Sequence, residues 1–388
     1  MRLTPLRNRD VVCFSHLRWN FVYQRPQHLL SRIAEHNRVL FVEEPIYTDS
    51  LHPYELHTDA DTGIRILVPL VPENATKEQS RELQQKALDD VLQREKIRNP
   101  ILWYYSPMAL SFSDHLRPLL TVYDCMDELS AFRFAPAALK QYEAMLFNKA
   151  DIVFTGGHHL YEAKKYLHEN IHPFPSSIDK DHFARARRSQ PDPPDQADIP
   201  HPRIGFYGVI DERFNVRLLN ELSSLQPGWH FVLVGPTVKI DASILPKKPN
   251  VHLLGQKTYR ELPAYLAGWD VAMMPFALNE STKYISPTKT PEYLAGGKPV
   301  VSTSIRDVVT TYGKPRLVRI ADTVKEFEKA ISSLLKTGAN KSWLKKVDAF
   351  LATESWDNTY GKMAVLIQET IRRKFSIGNR DKKKEAYV

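Results

Sequence analysis

The sequence predicts an α/β protein made of two parallel-sheet domains, and three observations carry that expectation. Short apolar runs alternate with amphipathic stretches through both halves of the chain, the pattern of open sheets covered on both faces. A segment rich in proline (Pro191, Pro193, Pro194, Pro200 and Pro202) separates the two halves. At 388 residues the chain exceeds one typical domain and suits two of roughly 150–200 residues.

In the first half, strands are expected at VVCFS from Val11, RVLFVE from Arg38, ILWYYS from Ile101, LLTVYDC from Leu119 and DIVFTG from Asp151. Helices are expected at QHLLSRIAEH, KEQSRELQQKALDDVLQREK, APAALKQYEAMLFNKA and HLYEAKKYLHEN, where apolar residues recur at helical spacing. One irregular patch, LHTDADTGIRILVPLVP, predicts a hairpin. Its Asp59-x-Asp61 precedes Thr62-Gly63 and is expected to form the turn, so no metal is assigned. A second β–α series runs from Ile204 to about Leu335. From Ser355 the chain predicts an amphipathic helix with Met363, Leu366, Ile367 and Ile371 on one face.

Cys13 and Cys125 are too few for a disulfide framework and lack metal-ligand spacing, which leaves buried free thiols. The net charge of +8 fits nucleic acid, an anionic membrane or anionic substrates. Neither paired Cys/His fingers nor a basic region with heptads accompanies it, so no nucleic-acid partner is expected. The basic residues concentrate in IRRKFSIGNRDKKK from Ile371, either a solvated helix end or an electrostatic foot on an anionic membrane. Nothing at the N-terminus has the form of a signal peptide, and no apolar run is long enough to span a bilayer. The expected location is cytoplasmic, with peripheral contact at the inner membrane face as the finer alternative.

The most informative segment is SPTKTPEYLAGGKPVV, residues 286–301. It follows the apolar run DVAMMPF from Asp270, which predicts a buried parallel strand. Ser286 suits a helix N-cap and Pro287 the first helical position, with Pro291 closing the first turn. Gly296 and Gly297 end the helix after about three turns. A helix start at the carboxyl edge of a parallel sheet suits an anion. Lys289 can neutralise a phosphate there. Glu292, three residues on, projects from the same face and can accept from vicinal hydroxyls. The plainer alternative is an exposed ion pair between the two.

This segment resembles the donor-binding helix of GT-B glycosyltransferases of the group 1 (family 4-like) superfamily. Pro287, Lys289 and the run Glu292-Tyr293-Leu294-Ala295 match its Pro-x-Lys-x-x-Glu-Tyr-Leu-Ala form. The resemblance implies that Glu292 holds the ribose of a nucleotide sugar and that Lys289 contacts the diphosphate, with Ser286 and Thr288 in the same donor-binding loop. Many members carry a second Glu eight positions before the ribose Glu, where this chain has Tyr284; Glu280 lies twelve positions upstream. PRIGFYGVIDERFNVRLL (from Pro202) is similar to the opening of the second domain, with Gly208 admitting the diphosphate and Arg213 contacting it or pairing with Asp211 and Glu212. SHLRWNFVYQRPQHLL (from Ser15) is similar to the first loop of a branch found in bacterial cell-wall and capsule polymer synthesis.

The resemblance implies a GT-B architecture, two Rossmann-like domains facing a cleft. The expected division is an acceptor-binding domain at 1–185, a proline-rich linker at 186–202 and a nucleotide-sugar-binding domain at 203–354. A helix at 355–376 then crosses back to the first domain, followed by a basic tail at 377–388. The implied function is transfer of a sugar from a nucleoside diphosphate sugar to a glycan or glycolipid acceptor in surface glycan synthesis. No cofactor or metal is expected, because helix start and cations supply the positive charge. The acceptor would meet His16, Trp19 and Arg25 in the first loop, Trp19 being alternatively core. Asp127, beyond the end of a strand, would act as base, orient the acceptor or cap the following helix. A nucleotide-sugar epimerase of the same fold and a decayed nucleotide-sugar-binding partner are the alternative functions.

Overall fold

Apolar runs that can be buried on both faces become parallel strands, and in this chain they sort into two sheets. The computed structural model describes residues 6–385. Among them, the first sheet contains β1 (Asp10–Phe14), β2 (Arg38–Val42), β3 (Ile46–Tyr47), β4 (Tyr54–Thr58), β5 (Arg65–Val71), β6 (Ile101–Tyr104), β7 (Leu120–Cys125), β8 (Ile152–Thr155) and β9 (Ile171–Pro173). Their order is β3-β5-β2-β1-β6-β7-β8-β9, with β4 added antiparallel to β5 as the expected hairpin. Asp59 accepts from both the amide and the hydroxyl of Thr62 in its turn. Cys13 on β1 and Cys125 on β7 are buried free thiols.

The second sheet contains β10 (Arg203–Tyr207), β11 (His230–Val234), β12 (Val251–Leu253), β13 (Val271–Met274), β14 (Val300–Ser302) and β15 (Val318–Ile320). The order β12-β11-β10-β13-β14-β15 is parallel throughout. In both sheets the winding direction reverses at the first strand, between β2 and β6 around β1 and between β11 and β13 around β10. Such reversals open a crevice at the carboxyl ends of the strands. The crevice above β10 and β13 holds the candidate site described below.

The domain boundaries differ from the sequence expectation in three ways, all for packing reasons. The first core ends at Phe174, whereas Ile178 and Phe183 already pack in the second core, so the chain crosses before residue 185. The proline-rich segment is no free tether. Gln196 is fully buried and accepts from the indole of Trp269 at 3.0 Å, while Arg203 pairs with Asp192 at 2.6 Å. It is built onto the second domain. The last helix, Trp356–Glu385, runs past the expected end at residue 376. Trp356, Tyr360, Met363, Ile367 and Ile371 enter the first core, so the chain crosses between domains a second time. The final three residues of the basic tail lie outside the described residues. No described helix is long and apolar enough to cross a membrane.

Candidate functional site

Tyr207 ends β10 and Gly208 turns the chain away from it with φ of +136°. A Cβ at position 208 would lie 2.1 Å from Lys289 Cε, so only glycine lets this backbone meet the lysine stem. Lys289 opens the helix Lys289–Ala295, which is seven residues long, shorter than expected. Its N-cap is Thr288, with helical backbone angles and no capping side-chain bond, and Ser286 and Pro287 precede it in the connecting loop. Pro291 therefore sits inside the helix at its third position. The end is as expected: Gly297, at φ +74°, donates to Leu294, and Lys298 donates to Tyr293.

Lys289 and Glu292 do not form the exposed ion pair. Lys289 is half-buried, and its ammonium lies 5.8 Å from the ring centroid of Phe206 and 6.0 Å from that of Phe276. Burial, followed by the neighbouring Arg213, lowers its pKa. Two cations facing one cavity are poised for an anion that neutralises both. Glu292 is 6% exposed and accepts from the Tyr207 hydroxyl at 2.7 Å. Burial pushes its carboxyl up to about 7 against the opposing effects of that bond and of Lys289. A deeply set carboxylate with spare lone pairs gains from donors that a ligand brings.

Gly208, Arg213, Thr288, Lys289 and Glu292 line one cavity together. Ser286 does not belong to it; its Cβ packs instead toward Gly157 of the first domain. Arg213 pairs with Asp211 through Nε and Nη2, the latter at 2.6 Å, which leaves Nη1 without a partner among the described residues. Tyr207, Gly235, Gln256 and Tyr259, which the sequence did not single out as site residues, also line it, and Tyr23 covers it from the first domain. Tyr23 stacks on Tyr259 with ring centroids 4.6 Å apart. The one available signal was the placement of Tyr207 and Gly235 at strand ends.

Of the first-domain candidates, two correct the expectation. Trp19 takes the core alternative: it is 6% exposed, packs edge-on against Phe41 and offers no free ring face. Arg25 is 2% exposed and held by Asp124, with Nη2 2.8 Å from the carboxylate and Nη1 donating to the Phe174 carbonyl. A guanidinium this deeply buried, with Nε and Nη1 both hydrogen-bonded, cannot meet an acceptor diphosphate. His16 is half-buried in the loop after β1; burial and then Lys239 lower its pKa to about 4, so it is neutral. Asp127 follows β7 into the cleft and caps no helix through its side chain. Burial raises its carboxyl to about 6, with Arg213, Arg25 and Lys289 pulling the other way. The second-domain cations Arg213 and Lys289 and this first-domain acid thus share one electrostatic site.

The domains meet across the cleft in several places. The Phe132 ring lies beneath the Arg213 and Lys239 cations, and the Arg133 amide donates to Glu212. Buried Asp307 of the second domain accepts from the amides of His158 and His159 at 3.1 Å each. The cleft is closed.

Comparison with known proteins agrees with this geometry. Residues 201–337 match the model of the family described as glycosyl transferases group 1. The chain resembles sucrose-phosphate synthase of Thermosynechococcus elongatus, with TM-score 0.70, 14% identity, and coverage of 94% of this chain and 100% of that one. HepE of Anabaena, solved in complex with UDP and glucose, gives 0.68 at 13% identity, covering 93% and 100%. The fold is therefore GT-B. The matched residues lie in the second domain and include the helix at Lys289 and Glu292 that resembled this family in sequence. A sequence relative is TuaH of Bacillus subtilis (strain 168), described as a teichuronic acid biosynthesis glycosyltransferase, 26% identical over 223 residues. The match spans 53% of this chain and 55% of TuaH, about half the length of that relative.

Proposed function

We propose that the protein is a glycosyltransferase that moves a sugar from a nucleoside diphosphate sugar to a glycan or glycolipid acceptor in surface glycan synthesis. The observation that supports it most is the convergence of Lys289, Glu292, Arg213 and the Gly208 backbone in one crevice beneath a closed first domain. Glu292 accepts from the ribose hydroxyls, and Lys289 and Arg213 face the diphosphate. As the glycosidic bond breaks, negative charge grows on the leaving diphosphate, where two pre-placed cations stabilise it. They fill the role a divalent ion would otherwise take, so transfer proceeds without metal or other cofactor. The ionised Asp127 carboxylate accepts a hydrogen bond from the acceptor hydroxyl. It takes the proton if the anomeric configuration inverts; if configuration is retained it orients the acceptor while the leaving phosphate takes the proton.

The basic end of the last helix, with Arg372, Arg373 and Lys374 exposed, supports a cytoplasmic protein in peripheral contact with an anionic membrane face. The deciding experiment is calorimetry with UDP and GDP, followed by a nucleotide-sugar panel assayed in the presence of EDTA. Binding of neither nucleotide by the folded chain would remove the reading.

A further inference from the structure

With Trp19 in the core and Arg25 locked on Asp124, the first loop leaves little to receive an acceptor. Another space lies between the domains. A cavity of about 690 Å3 opens between the segment following β7 and the second-domain loop that leads to Lys289. Its floor is a polar cluster in which Lys164, 5% exposed, bridges Glu128 at 2.8 Å and Glu143 at 2.7 Å. The Tyr123 hydroxyl donates to the same Glu143 oxygen at 2.8 Å. Phe147 adds an apolar wall from the first domain, and Tyr284 closes the space from the second.

We propose that this cavity is the acceptor subsite and that it takes an uncharged saccharide. The inference rests on the glycosyltransferase reading above and names the substrate class that reading leaves open. Glu128 directly follows Asp127 in the chain, so the cavity begins one residue from the carboxylate assigned to the reacting hydroxyl, although Asp127 itself does not line it. The two carboxylates on Lys164 are fixed in place; Glu143 Oε1 is filled by Lys164 and Tyr123, while Glu143 Oε2 and the Glu128 oxygens retain lone pairs to accept from a sugar hydroxyl. Phe147 is buried and only backs the wall, so the half-buried Tyr284 ring is the surface left for the C–H face of a pyranose. Glu128, Glu143 and Glu280 outnumber Lys140 and Lys164 around the lining, which disfavours a carboxylate or phosphate on the bound ring. Tyr284 stands where many related sequences carry a Glu, and its ring stacks on His159 of the first domain with centroids 5.1 Å apart. The wall is therefore complete only with the domains closed.

The test uses the full chain with whichever of UDP and GDP it binds. Saturation-transfer NMR measures binding of the p-nitrophenyl β-glycosides of N-acetylglucosamine, glucose, galactose and glucuronic acid. At least one neutral glycoside binds, and the glucuronide binds more weakly than the tightest neutral one by roughly ten-fold or more. Glu128→Gln weakens neutral-glycoside binding by roughly ten-fold or more. Ala144→Trp, which fills the cavity from an exposed helix position and so spares the fold, abolishes it. Nucleotide affinity stays at the parent value in both variants. Absence of neutral-glycoside binding, a tighter glucuronide, or parental binding in Ala144→Trp overturns the subsite. Failure of the parent chain to bind either nucleotide overturns the donor reading instead, so the two failures are distinct.

Discussion

Replacing Glu292 with Gln separates what the buried carboxylate costs the fold from what it does for the donor. Its carboxyl is pushed from an ordinary 4.5 to about 7, chiefly by burial. Each pH unit between those values corresponds to about 1.4 kcal/mol, so ionised Glu292 costs the ligand-free fold about 3 kcal/mol. Because the folded value lies above the unfolded one, the stability linked to the neutral form is complete below about pH 4.5. It is lost as pH rises through about 7. Glutamine is neutral throughout, and its carbonyl oxygen can accept the same bond from Tyr207. In urea unfolding of ligand-free protein, Glu292→Gln should exceed the parent by about 3 kcal/mol near pH 8, converging on it near pH 4.5. Calorimetry near pH 8 should show nucleoside diphosphate binding weakened by about 1.5–3 kcal/mol, the value of a charge-assisted hydrogen bond. A stability difference that does not change with pH, or unaltered affinity in a folded variant, would refute the reasoning.

Lys289→Ala should lower kcat more than it weakens donor binding, because charge on the diphosphate grows toward the transition state, and parental activity should persist in EDTA. Inhibition by EDTA with rescue by magnesium would count against that scheme. Asp127→Asn should reduce transfer by roughly 10²-fold or more and remove the loss of rate that the parent shows as pH falls through about 6, read from pH–rate profiles. Gly208→Ala should cost about 1–3 kcal/mol of stability from backbone strain and displace Lys289. In a Lys289→Ala background it should cost stability with little further loss of kcat. Truncation after Ile371 should weaken binding to phosphatidylserine vesicles at low salt, by about 1 kcal/mol for each basic residue that met the surface, and leave transfer to a short soluble acceptor intact. Salt-independent vesicle binding by both forms would remove the membrane contact.

Much of the fold was legible because its signals are local. Apolar runs of strand length and the Gly296-Gly297 stop each act within a few residues. The helix at Lys289 was legible for the same reason, its lysine, glutamate and glycines lying in one short stretch. Its starting point was not. Ser286 looks like a better cap than Thr288, but the loop is held against Gly157 of the other domain, and that contact is invisible along the chain.

The sequence by itself determined the two β–α series, the break between them, the returning apolar face of the last helix, and the pairing of Lys289 with Glu292 on one helix. Only the tertiary structure decided what each polar side chain is free to do. Arg25 and Arg213 both pair with an aspartate, yet Arg25 is sealed in the first core against Asp124 and Phe174, whereas Arg213 lines the cavity beside Lys289. The proline-rich stretch became part of a core because Gln196 and Ile199 found partners in Trp269 and Arg203. Glu292 acquired its raised pKa, and Glu128 and Glu143 their shared ammonium, from residues tens of positions away. Burial and charge compensation are set by the distances at which chain segments meet in space, and residue order alone does not contain those distances.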